Sequence, residues 1–542
     1  MNILINKIGQ LLTNRLRNIM FMLVIGILIL VIRNPDPLFN LVVYTEDGQW
    51  IGRALSNGWL DTFINAKDGY FVWGNLTLLW ASVNTSEVIC SNSLRCLPQG
   101  IAFYSYLTFS SLAVLVFFST RNAISKPLRF FLYFLVLMIP LGDSANEVIG
   151  RISNVGFVAV LAGVLILHCK SSINGRIHSF LIDAFIIFLA GTNPVVIPVI
   201  VVCISLKIIT SSNTSKTIKN NVALFLGLLL LSCWIYIRIS SLGQSSVTGE
   251  LQLANLIEVG VARSILYPFI FPIYSKLNDF IVLVLFLCWL GGIIYSISKL
   301  MNKKTRELMF FLCTALVIYL IFTLYARQSL TQQLGGYLTT FPDRYFLGLN
   351  LLVIVISLIA INELLISTRA RKRVGIVAGG IVLSIYLFST PWLFEIKSPR
   401  LKIKNGFDFA DQLCLSSIEN NPDVKFINIP IYFSGWLMTV PSSYVFAAAQ
   451  QLDCTSFLNT PLKLTDVNWN KGVALNWPGI VVVNSNYHRY SLIQNDFIKF
   501  PDGSTRKIIR KEANGMYLNV FLNGDLLNPE IVGYPNKFEV LK

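Results

Sequence analysis

Two acids sit side by side just beyond the first apolar run of the chain, in Tyr44-Thr45-Glu46-Asp47-Gly48-Gln49-Trp50. A carboxylate at a membrane–water boundary can act as a general base, taking the proton of a hydroxyl as that hydroxyl attacks. Glu46 and Asp47 are the candidates, since reactive sites collect clustered ionisable groups. Asp47 or Thr45 can equally cap a helix beginning near Gly48. Arg53 lies on the opposite face of that helix and could meet an anion. A second polar cluster is Gly142-Asp143-Ser144-Ala145-Asn146-Glu147, with Arg151 beyond it. Ser144-x-x-Glu147 has the form of a capping box, which leaves Asp143 and Arg151 over for a site. The third is Phe341-Pro342-Asp343-Arg344-Tyr345, immediately before an apolar stretch. Arg344 can snorkel or pair with Asp343, or hold a lipid phosphate in its bidentate fork, with Arg53, Arg151 and Arg263 as competitors. His168, His178 and His488 are scattered and form no metal-spaced set. Two adjacent acids could still share Mg²⁺ or Mn²⁺ with a donor phosphate.

The elements that must position these groups are apolar. Of 542 residues 54% are hydrophobic and 13% charged, with mean hydropathy +0.63, whereas soluble domains carry about 25% charged residues. That excludes disorder and a coiled coil. Runs at 18–32, 101–119, 130–141, 153–168, 179–190, 194–208, 221–239, 279–297, 307–325, 345–366 and 374–394 predict about 11 transmembrane helices across ~30 Å of hydrocarbon. The net charge of +16 gathers in every second connection, including Lys299, Lys303, Lys304 and Arg306, then Arg369, Arg371, Lys372 and Arg373. By the positive-inside rule the N-terminus is cytoplasmic and the C-terminus outside. The basic surplus is thereby an inner-leaflet signature and no nucleic-acid footprint. The first run has no small-residue cleavage site and reads as an uncleaved anchor.

Two outer segments exceed a connector. Residues 33–100 form a large first loop of short amphipathic pieces, with Ile51, Ala54, Leu55 and Trp59 on one helical face and Arg53 and Asn57 on another. Such a helix is expected in the headgroup plane or packed on the spans. Residues 396–542, with 15 basic and 12 acidic residues, predict a small α/β domain. Its β-rich stretches are Val424–Phe433, Gly479–Asn484 and Met516–Leu522, and a helical pattern lies near 407–418. No nucleotide-phosphate motif follows any of these strands. Cys90, Cys96, Cys414 and Cys454 all fall on the outer side, where an oxidising compartment permits Cys90–Cys96 and Cys414–Cys454 disulfides. The other five cysteines lie in spans or at their inner ends, as small apolar residues.

The assembly resembles the GT-C superfamily of membrane glycosyltransferases, and within it the serotype-converting, O-antigen-modifying glucosyltransferases of bacteria and their phages. The likeness covers most of 1–395. It rests on Glu46-Asp47-Gly48 with Gly58 and Gly69-Tyr70, Asn154-Val155, Thr192-Asn193-Pro194 and Asp343-Arg344-Tyr345. Many members show Asp then Glu; here Glu comes first, which leaves the identity of the base open. The resemblance implies a 1–395 catalytic module and a periplasmic 396–542 domain in a bacterial inner membrane. It implies a polyprenyl-phosphate sugar donor, a lipid-linked or lipopolysaccharide glycan acceptor, and inversion at the anomeric carbon. Glu46 or Asp47 would be the base, and Arg344, Arg53 or Arg151 would hold the donor phosphate. Asp143, Glu147, Tyr70, Trp73, Asp343 and Tyr345 would line the substrate site, the aromatic rings stacking on sugars. A separate flippase and donor synthase are implied as well. The rival reading is a polytopic transporter or lipid flippase. Those typically show internal repeats and acids at the midplane; no repeat is evident, and Asp183 is the only acid well inside an expected span before position 360.

Overall fold

The computed structural model describes residues 2–39, 41–142, 145–170, 175–211, 213–241, 252–299, 302–338, 343–366, 369–389, 409–432, 436–452, 454, 467–468, 480–484, 497–499, 505–514, 517–522 and 539–541. The chain divides into two compact units. One comprises 1–35, 63–77 and 104–400, the other 36–62, 78–103 and 401–542. The first loop, 33–100, is therefore shared between the units and is no separate piece.

The first unit is a bundle around helix Leu347–Leu365, which is apolar on every side. Every residue from Leu347 to Asn362 is buried, as expected of a helix without a polar face. Helices Lys303–Ala326, Asp279–Lys299, Lys126–Leu137 and Arg369–Phe388 pack against it. The outer helices do the opposite. Thr214–Ser240 and Asp279–Lys299 are mostly exposed and turn Leu226, Leu230, Trp234, Leu287 and Ile294 outward. So much contiguous exposed hydrocarbon calls for lipid.

Among the described residues seven helices are long and apolar enough to cross a membrane: Leu16–Arg33, Leu97–Ser119, Thr214–Ser240, Leu253–Lys276, Asp279–Lys299, Lys303–Ala326 and Arg344–Leu365. Six of them coincide with expected spans. The runs 130–141, 179–190 and 194–208 form helices Lys126–Leu137, Arg176–Ala190 and Val196–Thr210 of 12, 15 and 15 residues, about 18–22 Å long at 1.5 Å per residue. Length thus supports a multi-pass chain without establishing eleven crossings. One of the short helices is closed by a distant side chain. The Arg33 guanidinium donates to the carbonyls of Leu137 (2.6 Å) and Ile139 (2.5 Å), satisfying the open carbonyls just ahead of Pro140.

The seventh stretch, Leu253–Lys276, lies between the expected spans 221–239 and 279–297. It is not a straight rod. A short 3₁₀ turn leads into a π-helix at Glu258–Leu266, a helical turn at Tyr267–Ile270 and a 3₁₀ turn at Phe271–Lys276. The Tyr274 hydroxyl donates to Glu258 Oε1. Sixteen residues of straight α-helix would separate these positions by about 24 Å, so the segment folds back on itself, with Pro268 and Pro272 in the bend. Its irregular backbone is satisfied from nearby. Ser264 Oγ donates to the Val259 carbonyl at 2.6 Å. Asn350, with its amide oriented to satisfy both, donates to the carbonyls of Arg263 (3.0 Å) and Ser264 (3.2 Å).

Lys170, the last residue of helix Ala159–Lys170, is buried. Its ammonium donates to Asp183 Oδ1 at 2.5 Å, the Asn220 carbonyl at 2.8 Å and Asn221 Oδ1 at 3.1 Å, which uses all three of its protons.

In the second unit, residues 41–45 run beside the C-terminal segment. Phe409 N–H donates to Leu41 O (2.6 Å), Tyr432 N–H to Val43 O (3.1 Å) and Thr45 N–H to Tyr432 O (2.5 Å). Strands Phe426–Ile431 and Trp436–Pro441 form an antiparallel hairpin. Ile427, Ile429, Ile431, Met438 and Val440 alternate onto its buried face, the period of two expected of a half-covered sheet. Helix Thr45–Asn57 lies on this hairpin through Gly48 and Gly52. A Cβ on Gly52 would stand 2.7 Å from the Thr439 carbonyl, and one on Gly48 2.5 Å from Ile431 Cδ1; only glycine permits that approach. The helix expected in the headgroup plane is thus docked on protein, with Ile51 and Ala54 fully buried. It ends at Gly58, and Trp59 opens a separate helix, Trp59–Asn65, so Trp59 does not share the face assigned to it.

Helices Phe409–Glu419 and Ser442–Gln451 pack on each other and on the hairpin. Strands Val467–Asn468, Ile480–Asn484, Phe497–Lys499, Thr505–Asn514, Tyr517–Leu522 and Glu539–Leu541 form an antiparallel sheet. Cys90–Cys96 and Cys414–Cys454 are both bridged, at separations of 6 and 40 residues. Loop entropy makes the longer bridge the stronger constraint, worth about 4 kcal/mol against about 2 for the shorter. Cys414→Ser/Cys454→Ser should accordingly lower the unfolding midpoint of this unit roughly twice as far as Cys90→Ser/Cys96→Ser, measured by thermal denaturation of the oxidised proteins.

Candidate functional site

In the first unit Arg344 and Glu147 are brought together across 197 residues of sequence. Arg344 sits in the turn Asp343–Phe346 that opens the central helix, and its Nη1 donates to Glu147 Oε2 at 2.6 Å. Glu147 is buried in the short helix Ala145–Val148, while a quarter of the Arg344 side chain is exposed. Tyr345 is flanked by two guanidinium groups, Arg327 at 4.6 Å and Arg344 at 5.1 Å from its ring centre, with Phe157 edge-on at 5.7 Å. The guanidinium–ring contacts hold both cations at one tyrosine despite their repulsion. This cluster occupies the helix ends remote from Lys299, Lys303 and Arg369, since Lys303–Ala326 ends just before Arg327 and Leu347–Leu365 begins just after Tyr345.

The loop that carries Glu147 is tied down by the motif residues. Asn154 Nδ2 donates to the Glu147 carbonyl at 2.6 Å. Asn75 donates to the carbonyls of Ile152 (2.6 Å) and Ser153 (2.9 Å), and Asn193 to that of Gly156 (3.1 Å). Thr192 Oγ1 accepts from Gly74 N–H at 2.8 Å. Trp73 lies against Gly191, where a Cβ would stand 2.0 Å from the ring. Trp73 thus packs on the Gly191–Asn193 turn, and both it and Tyr70 are half-buried. Arg151 is 1% exposed, too enclosed to meet a lipid phosphate in this conformation. Asp143 and Ser144 lie outside the described residues, as does the Asp343 side chain. Glu147 itself turns to Arg344, and the capping box expected with Ser144 lies outside the described residues.

Arg327 and Glu258 were not singled out in the sequence, and Arg263, named there as a competing phosphate ligand, is buried. Arg327 breaks the charge alternation by standing at the remote end of its helix, a signal that was available. Glu258 and Arg263 are both buried in Leu253–Lys276, whose interrupted hydropathy hid it. Arg263 lies against three rings, Tyr267 at 3.9 Å, Tyr274 at 4.8 Å and Phe346 at 5.5 Å from its guanidinium carbon. Glu258 Oε2 accepts from Tyr337 N–H at 3.3 Å, and the Tyr337 hydroxyl donates to Asp279 Oδ1 at 2.8 Å. Burial first, then that bond to Asp279, raises the Tyr337 phenol well above the ordinary tyrosine range, so it remains a donor. Asp183 is thus not the only acid enclosed by the apolar helices.

In the second unit the acidic pair opens helix Thr45–Asn57. The helix begins three residues earlier than the capping alternative required. Its N-cap is Tyr44, with no side-chain cap, so neither Thr45 nor Asp47 caps it. Thr45 Oγ1 donates instead to Glu46 Oε2 at 2.8 Å. Both acids fall in the first turn, where the helix dipole favours negative charge. They differ in access: Asp47 is fully buried and Glu46 half-buried. Neighbours on a helix do not face each other, so the two carboxylates do not form a chelating pair. Among the described residues no group of three His, Cys, Asp or Glu side chains stands together as a metal site. Arg53 pairs with Asp61 at 3.1 Å, both partly exposed. It also lines an open groove of about 390 Å³ with Gln49, Ser56, Asn57, Phe426, Leu437 and Thr439. Neither Glu46 nor Asp47 lines that groove.

No protein-family model matches the chain, and a search of curated proteins returns no match.

Proposed function

We propose that the chain is an inverting glycosyltransferase of the inner membrane of a bacterium, moving a hexose from a polyprenyl-phosphate donor to a cell-surface glycan such as O-antigen. The single observation that carries this reading is the cationic cluster of Arg344, Arg327 and Tyr345. A guanidinium already bonded to a carboxylate at 2.6 Å, yet partly open, can take a phosphate in the same fork. It stands at the end of an apolar helix remote from the basic loops, which is headgroup depth. In this mechanism Arg344 and Arg327 stabilise the negative charge left on the lipid phosphate as the anomeric C–O bond breaks. In the second unit Glu46, the more accessible of the two acids, is the candidate general base for the proton of an acceptor hydroxyl. Asp47 supports the turn. The groove beside Arg53 offers amides, a hydroxyl and the Phe426 ring to a neutral sugar. Two disulfides in the second unit support an oxidising, extracytoplasmic setting. A separate synthase and flippase would furnish the donor.

The folded-back segment with buried Glu258 and Arg263 favours a second reading, a lipid transporter, because broken helices with enclosed charges recur in that class. The deciding experiment compares cells expressing the wild type and Arg344→Gln, with surface glycan analysed by mass spectrometry. The enzyme reading expects a hexose increment with the wild type that falls at least about 100-fold with Arg344→Gln, the scale of losing one transition-state donor. Glycan unchanged by the wild type, together with faster movement of a fluorescent polyprenyl phosphate across vesicles, would establish the transporter instead.

A further inference from the structure

Arg263 has no access to solvent, so its charge must act on something inside the first unit. Its guanidinium rests on Phe346, the last residue of the turn that carries Arg344 and Tyr345. The remaining rings against it, Tyr267 and Tyr274, come from its own folded-back segment, and Tyr274 is held by its hydrogen bond to Glu258. Glu258 also fixes Tyr337, whose backbone is left-handed at φ 59°, a conformation a bulky residue keeps only when its surroundings impose it. One helical turn beyond Phe346, Asn350 binds the carbonyls of Arg263 and Ser264. The same face of the central helix, positions 346 and 350, is thus docked on the π-helix by a ring and by an amide. A π-helix widens the backbone and frees carbonyls, which here accept from Asn350. Burying an arginine and a glutamate among apolar helices is costly, and the return visible in the structure is a fixed seat for the turn bearing Arg344.

We infer that Arg263, backed by Glu258 through Tyr274, is a positioning residue that acts through Phe346 to hold Arg344 and Tyr345 in their anion-binding geometry. The inference deepens the reading of Arg344 as a phosphate ligand and rests on it for the ligand. Its structural half, that the Arg263–Phe346 contact orders the turn, stands apart from any ligand.

The test uses the full chain in nanodiscs, with farnesyl phosphate as a short isoprenyl monophosphate probe and inorganic phosphate as the headgroup alone. Phe346→Leu keeps an apolar side chain but removes the ring face, whereas Phe346→Tyr keeps the face. Losing the face should weaken farnesyl phosphate binding about tenfold, the size of one enclosed cation–ring contact. It should also speed hydrogen exchange at the amides of Arg344–Phe346, and Phe346→Tyr should bind and exchange like the wild type. A merely structural residue would lower the melting temperature equally in both variants without this split. Equal binding and equal exchange in the two variants would overturn the positioning role. Failure of the wild type to bind farnesyl phosphate would overturn the phosphate reading of Arg344, with the exchange comparison still deciding whether Arg263 orders the turn. Binding of inorganic phosphate as tight as that of farnesyl phosphate would show a headgroup-only site, and the same Leu–Tyr split would then be expected with that probe.

Discussion

Glu46→Gln is expected to slow sugar transfer by about 10²–10⁴-fold, the usual contribution of a positioned general base, with the protein still present in the membrane at wild-type level. The substitution is nearly isosteric. A glutamine oxygen can still accept the Thr45 hydroxyl that Glu46 accepts now, so what disappears is the ability to take a proton. Asp47→Asn should fail differently. Asp47 is fully buried, and an amide brings two donors to a place where a carboxylate only accepts. Its expected effect is on stability, of about 1–3 kcal/mol, with transfer per folded molecule largely kept. Paired measurements of thermal midpoint and transfer rate separate the two acids. Full activity in Glu46→Gln with a normal melting temperature would remove Glu46 from the mechanism.

Lys170→Met is expected to be the most destabilising single change outside the site, at about 3–5 kcal/mol, because it strands the Asp183 carboxylate in the interior. The two side chains are 7% and 6% exposed, and Lys170 also satisfies Asn220 and Asn221. Replacing both partners, Lys170→Met with Asp183→Leu, should recover most of the loss, since an apolar pair of similar volume removes the charge as well as its partner. The measurement is thermal unfolding in detergent of the wild type, both single variants and the double variant. A Lys170→Met protein melting with the wild type would mean that the pair is hydrated and contributes little.

The membrane character of the chain, most of its long helices, the strands near 426–431, 480–484 and 517–522, and the cysteines available for bridging were all legible from local pattern. Hydropathy runs, alternate basic connections and β-rich stretches are properties of neighbours in sequence, and each element reports its own. The stretch 253–276 was not legible, because Glu258, Arg263 and two prolines interrupt the hydropathy that marks a buried segment. The helix at Thr45–Asn57 was legible as amphipathic, but the glycines that let it approach Thr439 mark a partner nearly 400 positions away, which no local pattern names.

For the candidate site the division is sharper. From the sequence alone came Glu46, Asp47, Glu147 and Arg344 as groups whose chemistry stands out against an apolar background, because ionisable residues are too costly there to be incidental. Only the tertiary structure decided which of them are accessible and which are paired: Asp47 and Arg151 are enclosed, Glu46 is not, and Arg344 meets Glu147 across 197 residues. Burial and pairing depend on what the rest of the chain brings alongside a residue, and that is set by packing between distant segments, whereas the cost of a charge in hydrocarbon is set by the residue type itself.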